Sequence, residues 1–483
     1  MKRKTMTNCK NLILTLCAFT AFASAQDTGR DWPVYGNGIS GDNSSPAPTG
    51  ITAANLKSLT RRQVKLDGAV DSSVIYLHAV NVKGASHDTY FMTTIYGKSI
   101  AVDAGDGSIL WEYTPEGYAR WAGTPQFSTA SPVADPDRTA IYATTPGGDV
   151  VKLAVSDGHL LWSTSVTPAP ASEKLPSPLI LFRGRLIVVT GGYGGDRPPY
   201  VGHVAILDAA SGRISHVWNT LCSDKTGLID PRTCEAQRSA IWGRSGPVID
   251  PATGNIFVAT GNGNYDGKTS WSNSLIELDP DATKMLGNWT PENEAEINRG
   301  DLDLITSPVL MGDGVIAQSG KDNIIRLLDL KAIAGTEAHN GRELQTVTGQ
   351  GSSFINNSLA KWTHNGTTWL FIAAQKWRGS GGGIAAWTYK DRKLTPVWKN
   401  DNPATVPVLA GGLLYAYNGN QGGLHVYNPE TGEQVGELAT GTGHWGTPVA
   451  IDGRIALTEG NANDRPTSGV LDIWSLPVTD KSR

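Results

Sequence analysis

Ala240-Ile-Trp242-Gly-Arg244-Ser-Gly-Pro247-Val-Ile-Asp250-Pro-Ala-Thr-Gly254-Asn-Ile-Phe-Val-Ala-Thr260-Gly261-Asn262-Gly-Asn264, continued by Ser272-Asn-Ser274-Leu-Ile-Glu-Leu-Asp279, is the stretch that decides the fold. Three short apolar runs stand in it: Pro247-Val-Ile, Ile256-Phe-Val-Ala and Ser274-Leu-Ile-Glu-Leu. Asp250-Pro and Thr253-Gly254 break the first gap, and a Gly/Asn-rich loop breaks the second, so each run reads as a strand ended by turn residues. The same unit recurs along the chain. Its opening, a small or polar residue and then an apolar one, appears at Ser73, Ser131, Ser177, Gly246, Ser307, Ser358, Val406 and Thr447. Those eight openings lie 41 to 69 residues apart, a spacing that suits a four-stranded propeller blade with loops of varying length.

Two further features repeat with the openings. An Asp-x-x-x-Gly turn or a close variant follows the middle strands, as in Asp103 to Gly107, Asp208 to Gly212 and Asn428 to Gly432. A Trp closes several units on a fourth strand: Trp111, Trp162, Trp218, Trp289 and Trp398. After the opening strand at Val449 the chain has only two more strands, one short of a full blade, whereas residues 59–66 carry a strand that precedes the first opening. Pairing of residues 59–66 with residues 470–474 would close the ring and remove a free edge. The expectation is therefore an all-β chain forming a single eight-bladed propeller over residues 26–483, with helix confined to short turns.

Composition agrees with this. The 483 residues include 56 Gly and 27 Pro, with 39% apolar and 18% charged residues, which describes a turn-rich globular chain and excludes disorder. Lys2, Arg3 and Lys4 precede an apolar run over residues 12–23 that ends in Ala23-Ser24-Ala25, the pattern of a secretory signal peptide cut before Gln26. Leu16 is bulky where lipoprotein processing at Cys17 needs a small residue. Loss of residues 1–25 removes four bases (Lys2, Arg3, Lys4, Lys10) and no acid, taking the formal charge from −4 to −8. A mildly acidic exported chain is poorly suited to nucleic acid, and no run is long enough to span a bilayer as a helix. Cys222 and Cys234 are the two cysteines left, with eleven residues between them in a polar loop, and in an oxidising compartment they are expected to form a disulfide. No Cys-x-x-Cys-His is present to attach haem.

The repeat, with its Asp-x-x-x-Gly turn followed by Trp, resembles the pyrroloquinoline-quinone (PQQ) repeat of the quinoprotein dehydrogenase propellers. Asp31-Trp-Pro-Val-Tyr-Gly and Ile51-Thr-Ala-Ala-Asn-Leu look like the N-terminal segment of those enzymes. The resemblance implies a site. Asn262 of Thr260-Gly261-Asn262 matches a calcium-ligating Asn, and Trp242 matches a Trp that lies under the quinone. Trp242 stands eight residues before Asp250 where the family has six, and Arg244 takes the six-residue position. Asp301 of Asp301-Leu-Asp303 matches the general base, Asp303 resembles the extra ligand of lanthanide-using members, and Lys321 matches a cation that bonds the quinone oxygens. Two features depart from the pattern. The family's calcium-binding Glu has no counterpart in Thr190-Gly-Gly-Tyr193-Gly-Gly-Asp196, where Asp196 is the nearest carboxylate, and the adjacent Cys-Cys pair is absent.

What the resemblance implies is PQQ with calcium or a lanthanide, an alcohol or sugar hydroxyl as substrate, and a separate electron acceptor. A hard cation takes carboxylate and amide oxygens and polarises a carbonyl while a carboxylate accepts the alcohol proton. Relatives of the outer-membrane barrel-assembly machinery use the same repeat without catalysis, so an envelope binding scaffold is the second reading. Each residue also has a plain role open to it: Trp242 as packing between blades, Asn262 as a left-handed turn residue, Asp301 and Asp303 as solvated acids, Lys321 as a surface charge.

Overall fold

The computed structural model describes Met1 and residues 28–193, 196–349, 355–376 and 381–477. The expected signal peptide, with Cys9 and Cys17, lies outside the described residues. Eight four-stranded antiparallel sheets follow one another along the chain as the blades of a propeller. Their first strands are Ile75–Val82, Val133–Ala134, Ile180–Phe182, Val248–Ile249, Val309–Gly312, Ile355–His364, Pro407–Ala410 and Val449–Ile451, here blades one to eight. The eighth blade takes its fourth strand from the other end of the chain. Thr60–Leu66 pairs antiparallel with Gly469–Ser475 in unbroken register from Thr60↔Ser475 to Leu66↔Gly469.

The repeat has a physical reason. Gly158 adopts φ of +77°, and a Cβ there would come within 2.5 Å of the Trp111 ring of the preceding blade. Trp111 Nε1 donates to Val155 O at 2.8 Å, which fixes the indole over that turn. Trp162 lies against Gly212, and Trp398 against Gly432, in the same way. The Asp-x-x-x-Gly turn of one blade is therefore the seat for the Trp of the blade before it. At Gly107 of blade one the occupants are Arg62 and Val64 of the N-terminal strand, which stand in for the missing Trp of blade eight.

Helix is limited to Tyr118–Trp121, Glu294–Gly300 and single 3-10 turns among the described residues. Among the described residues no helix is long and apolar enough to cross a membrane. Cys222 and Cys234 are bonded, their Cα atoms 5.9 Å apart.

An N-terminal strap runs beneath the ring. Pro33 accepts from Ala134 N of blade two, Ile39 from Ile249 N of blade four and Asp42 from Lys361 N of blade six. Ser44–Ser45 then pairs parallel with Leu409 and Ala410 of blade seven, and Thr49 accepts from Gly453 N of blade eight. The strap seals one end of the axis with buried side chains, among them Trp32, Val34, Tyr35 and Asn43.

Candidate active site

A belt of short strands crosses the blades on the axis. Glu173–Lys174 pairs with Gly191–Gly192, Ile241 N donates to Thr190 O at 3.1 Å, and Ala240–Ile241 pairs with Gly261 and Thr260. Lys174, Trp242, Arg244 and Asn262 thus all stand on this belt or within three residues of it. Its two glycines are needed for close approach: a Cβ on Gly191 would lie 3.3 Å from the Trp242 ring, and one on Gly192 would lie 2.7 Å from Tyr200. Tyr200 and Trp242 meet edge to face, with centroids 6.5 Å apart.

The carboxylates converge from blades three to five. Asp301 caps the short helix Glu294–Gly300 in the left-handed conformation, φ +53°. Two residues on, Asp303 is buried, and a Cβ on Gly261 would come within 2.7 Å of its carboxylate. Lys321 Nζ lies 2.9 Å from Asp301 Oδ1 and 2.7 Å from Asp303 Oδ1. Asp303 Oδ2 is buried without a hydrogen-bond donor among the described residues. Burial, with the charges of Asp301 and Asp196 added, pushes the Asp303 carboxyl up to about 6 although Lys321 opposes it. For Lys321 the balance is reversed: burial would lower its pKa, but Asp303 and Asp301 outweigh this and raise it. Burial also raises Asp196, against the Lys321 charge and a hydrogen bond with the Asn262 side chain. Asp196, Asn262, Asp301, Asp303 and Lys321 therefore form one electrostatic unit.

Trp242 and Arg244 belong to the layers beneath. Lys174 Nζ sits 5.6 Å from the Trp242 ring centroid and 4.8 Å from that of Phe127. Lys174 is 5% exposed and Arg244 7% exposed, and neither has a carboxylate at ion-pair distance among the described residues. Burial and the Arg244 charge bring the Lys174 ammonium down to about 7, against Asp71 and Asp196. The Arg244 guanidinium lies 3.2 Å from the Trp445 ring centroid and makes long contacts to Thr129 Oγ1 (3.4 Å) and Pro176 O (3.5 Å). Burial lowers it to about 10, opposed by Asp71 and Tyr35. Arg244 comes from blade four and Trp445 from blade eight, on opposite sides of the ring, so their contact lies on the axis. Asp71 accepts from Trp445 N at 2.7 Å and bonds His444 Nδ1 at 2.9 Å, which fixes that side.

Sequence reading missed Lys174, Phe127 and Asp71. The signal was positional. Asp71, Arg244 and Trp445 each stand two residues before an opening, and Phe127, Lys174 and Asp303 three or four before one. In a propeller these are the residues from which each blade turns away from the axis.

The fold and this set of buried cations and carboxylates define a class: an eight-bladed propeller with a polar, charged cluster where its blades meet. The family model described as outer membrane protein assembly factor BamB, built on the PQQ repeat, matches residues 77–332, and the chain belongs to that PQQ-repeat family. It is 23% identical over 457 residues to the dehydrogenase subunit of the quinone alcohol dehydrogenase of Gluconobacter oxydans (strain 621H), covering 85% of this chain and 56% of that protein. It is 26% identical over 332 residues to the polyvinylalcohol dehydrogenase of Sphingopyxis sp. (strain 113P3), covering 59% and 49%. The chain thus spans about half the length of the curated relatives it matches. Among solved structures, a europium-containing methanol dehydrogenase superposes with a TM-score of 0.68 at 16% identity over 93% of this chain and 98% of that one. BamB from Moraxella catarrhalis gives 0.52 at 14% identity over 88% and 99%.

Proposed function

We propose that this chain is an exported quinoprotein oxidoreductase that oxidises an alcohol or sugar hydroxyl with PQQ and calcium or a lanthanide, passing electrons to a separate acceptor. The observation that carries the reading is the shared ammonium of Lys321 between Asp301 and Asp303, with Asp303 seated over Gly261 beside Asn262. The names of the relatives support the same class. The residues fit the absent groups on two counts. Asp303 Oδ2 is a buried oxygen without a donor among the described residues, as a cation ligand or proton acceptor requires. Lys174 and Arg244 are buried cations without a counter-ion at ion-pair distance among the described residues, as an anionic quinone requires.

In this reading Asn262 and Asp196 offer oxygens to the cation together with one of the two carboxylates of Asp301 and Asp303. Bound quinone would supply the hydride acceptor, and the cation would polarise it. The chain's own part is to orient the alcohol and take its proton. The resemblance gives that role to Asp301. Burial, the free Oδ2 and the raised pKa support Asp303 instead, because a proton acceptor works best when its pKa approaches the working pH. Asp301, with its side chain 52% exposed, then serves to hold Lys321. Reconstitution of the purified protein with PQQ and calcium tests the reading: quinone absorbance that stays with the protein, and alcohol-dependent dye reduction, are the expected results.

A binding scaffold of the cell envelope is the competing reading, favoured by the description of the family model and by the likeness to BamB. It leaves the axial charges without a task. A protein that binds neither quinone nor calcium would move the assignment there.

A further inference from the structure

We propose that Lys174 and Arg244 form a carboxylate-binding site on the propeller axis, in which Lys174 donates to the carboxylate above the Trp242 ring and Arg244 closes the site from below. Two buried cations that feel each other's charge, with no carboxylate paired to either among the described residues, are costly unless an anion joins them. The neighbours that could have neutralised Lys174 are engaged elsewhere. Glu173, next to it in the chain, accepts from Val201 N at 2.8 Å and from the Thr167 hydroxyl. Asp71 is held by His444, Trp445 N and Ala462 N, and Asp196 feels the Lys321 charge more than that of Lys174. The Tyr193 phenol, beside Phe127, donates to Pro170 O at 3.1 Å. Phe127 and Trp242 hold the ammonium by their π faces and leave its N–H bonds free to donate.

The carboxylate can come from the cofactor or from a substrate acid. In its cofactor form the proposal rests on the quinone reading above. Because Lys174 titrates near 7 when the site is free, and a bound carboxylate would raise it, binding takes up a proton at neutral pH. Affinity is then full below about pH 7 and falls as the pH rises towards the pKa of the bound state.

The test measures binding to the whole calcium-loaded protein, by quenching of tryptophan fluorescence, for three probes: PQQ, its trimethyl ester and benzene-1,3-dicarboxylate. Wild type should prefer PQQ to the ester. Lys174→Met should lose about tenfold to a hundredfold of that preference, while Lys174→Arg keeps it and removes the decline in affinity between pH 6.5 and 9. Unchanged melting temperatures would show that the variants are folded. If wild type binds the dicarboxylate in a Lys174-dependent way but neither form of PQQ, the carboxylate site stands and the quinone reading fails. If Lys174→Met keeps the wild-type preference, or wild type binds none of the three probes, the proposal is overturned.

Discussion

At Lys321 one ammonium faces two carboxylates from a single Asp-Leu-Asp run, 2.9 Å from Asp301 and 2.7 Å from Asp303. Removing it leaves the buried Asp303 charge without a counter-ion, a loss that fully buried pairs feel most. Lys321→Met should therefore cost the metal-free protein about 2 kcal/mol in urea unfolding, less than for a fully enclosed pair because Asp301 faces water. Calcium should restore part of that loss by taking the place of the ammonium. A melting curve that calcium leaves unmoved would count against the cation site. The two acids can be separated by kinetics. In the reconstituted protein, Asp303→Asn should lower turnover by on the order of a thousandfold, the range for a lost general base. Asp301→Asn should lower it about tenfold, through a misplaced Lys321. The reverse order would return the base to Asp301. These three residues were legible because Asp-Leu-Asp and Gly-Lys-Asp match a motif at the right place in the repeat. Lys174 was not legible in that way. A lone lysine in a polar stretch reads as a surface charge, and only its place before the Ser177 opening turns it to the axis.

Among the elements, the seam between Thr60–Leu66 and Gly469–Ser475 carries its own charge problem. Arg61 bonds Asp472 through Nε at 2.8 Å and Glu459 through Nη2 at 3.1 Å, and Asp472 is completely buried. One guanidinium serves two carboxylates. Burial, and the hydrogen bond and charge of Asp472, push Glu459 from 4.5 up to about 7, against Gly441 N–H and Arg61. A folded pKa raised above the unfolded one gives stability that is complete below pH 4.5 and is lost as the pH rises through about 7. The wild type should accordingly lose about 1 kcal/mol between pH 5 and 8 from this site, after allowance for solvent screening. Glu459→Gln should flatten the profile and be the more stable protein at pH 8; equal slopes in urea titrations would refute this. The loop between Cys222 and Cys234 offers a simpler check. With the bonded residues twelve positions apart in sequence, opening the disulfide should cost about 3 kcal/mol or less in the chain-entropy account, read as a lower midpoint under reducing conditions. Both elements follow from the sequence, since an isolated cysteine pair and a missing eighth-blade strand each leave one partner. The cross-blade belt did not, because Glu173–Lys174 and Gly191–Gly192 are two-residue strands with no apolar period to reveal them.

On the scale of the whole molecule, eight openings, five closing tryptophans and the Asp-x-x-x-Gly turns announced the ring, because each is the visible half of a contact between neighbouring blades. The strap left no such trace. Residues 31–49 bond to the blades in part through backbone groups, and backbone hydrogen bonds carry no side-chain signature. Two truncations divide the work of the N-terminal segment. A chain beginning at residue 53 keeps Thr60–Leu66 and so keeps the ring closed, but loses Trp32, Val34, Tyr35 and Ile51, all buried. Burial of four large apolar side chains is worth about 5 kcal/mol or more. That is a large share of the net stability of about 5–15 kcal/mol typical of a folded chain. A fall in melting temperature on the order of 10 °C is the expected result. A chain beginning at residue 67 loses in addition the fourth strand of blade eight, the Arg61 contacts to Asp472 and Glu459, and the packing of Arg62 and Val64 on the Gly107 turn. Gly469–Ser475 then becomes an exposed edge beside an unfilled turn, a template for pairing with a second copy. The shorter chain should elute from gel filtration as oligomer or aggregate and unfold without a single transition. The longer one should stay monodisperse and melt cooperatively. Similar behaviour of the two chains would mean that the N-terminal strand does not close the ring in solution.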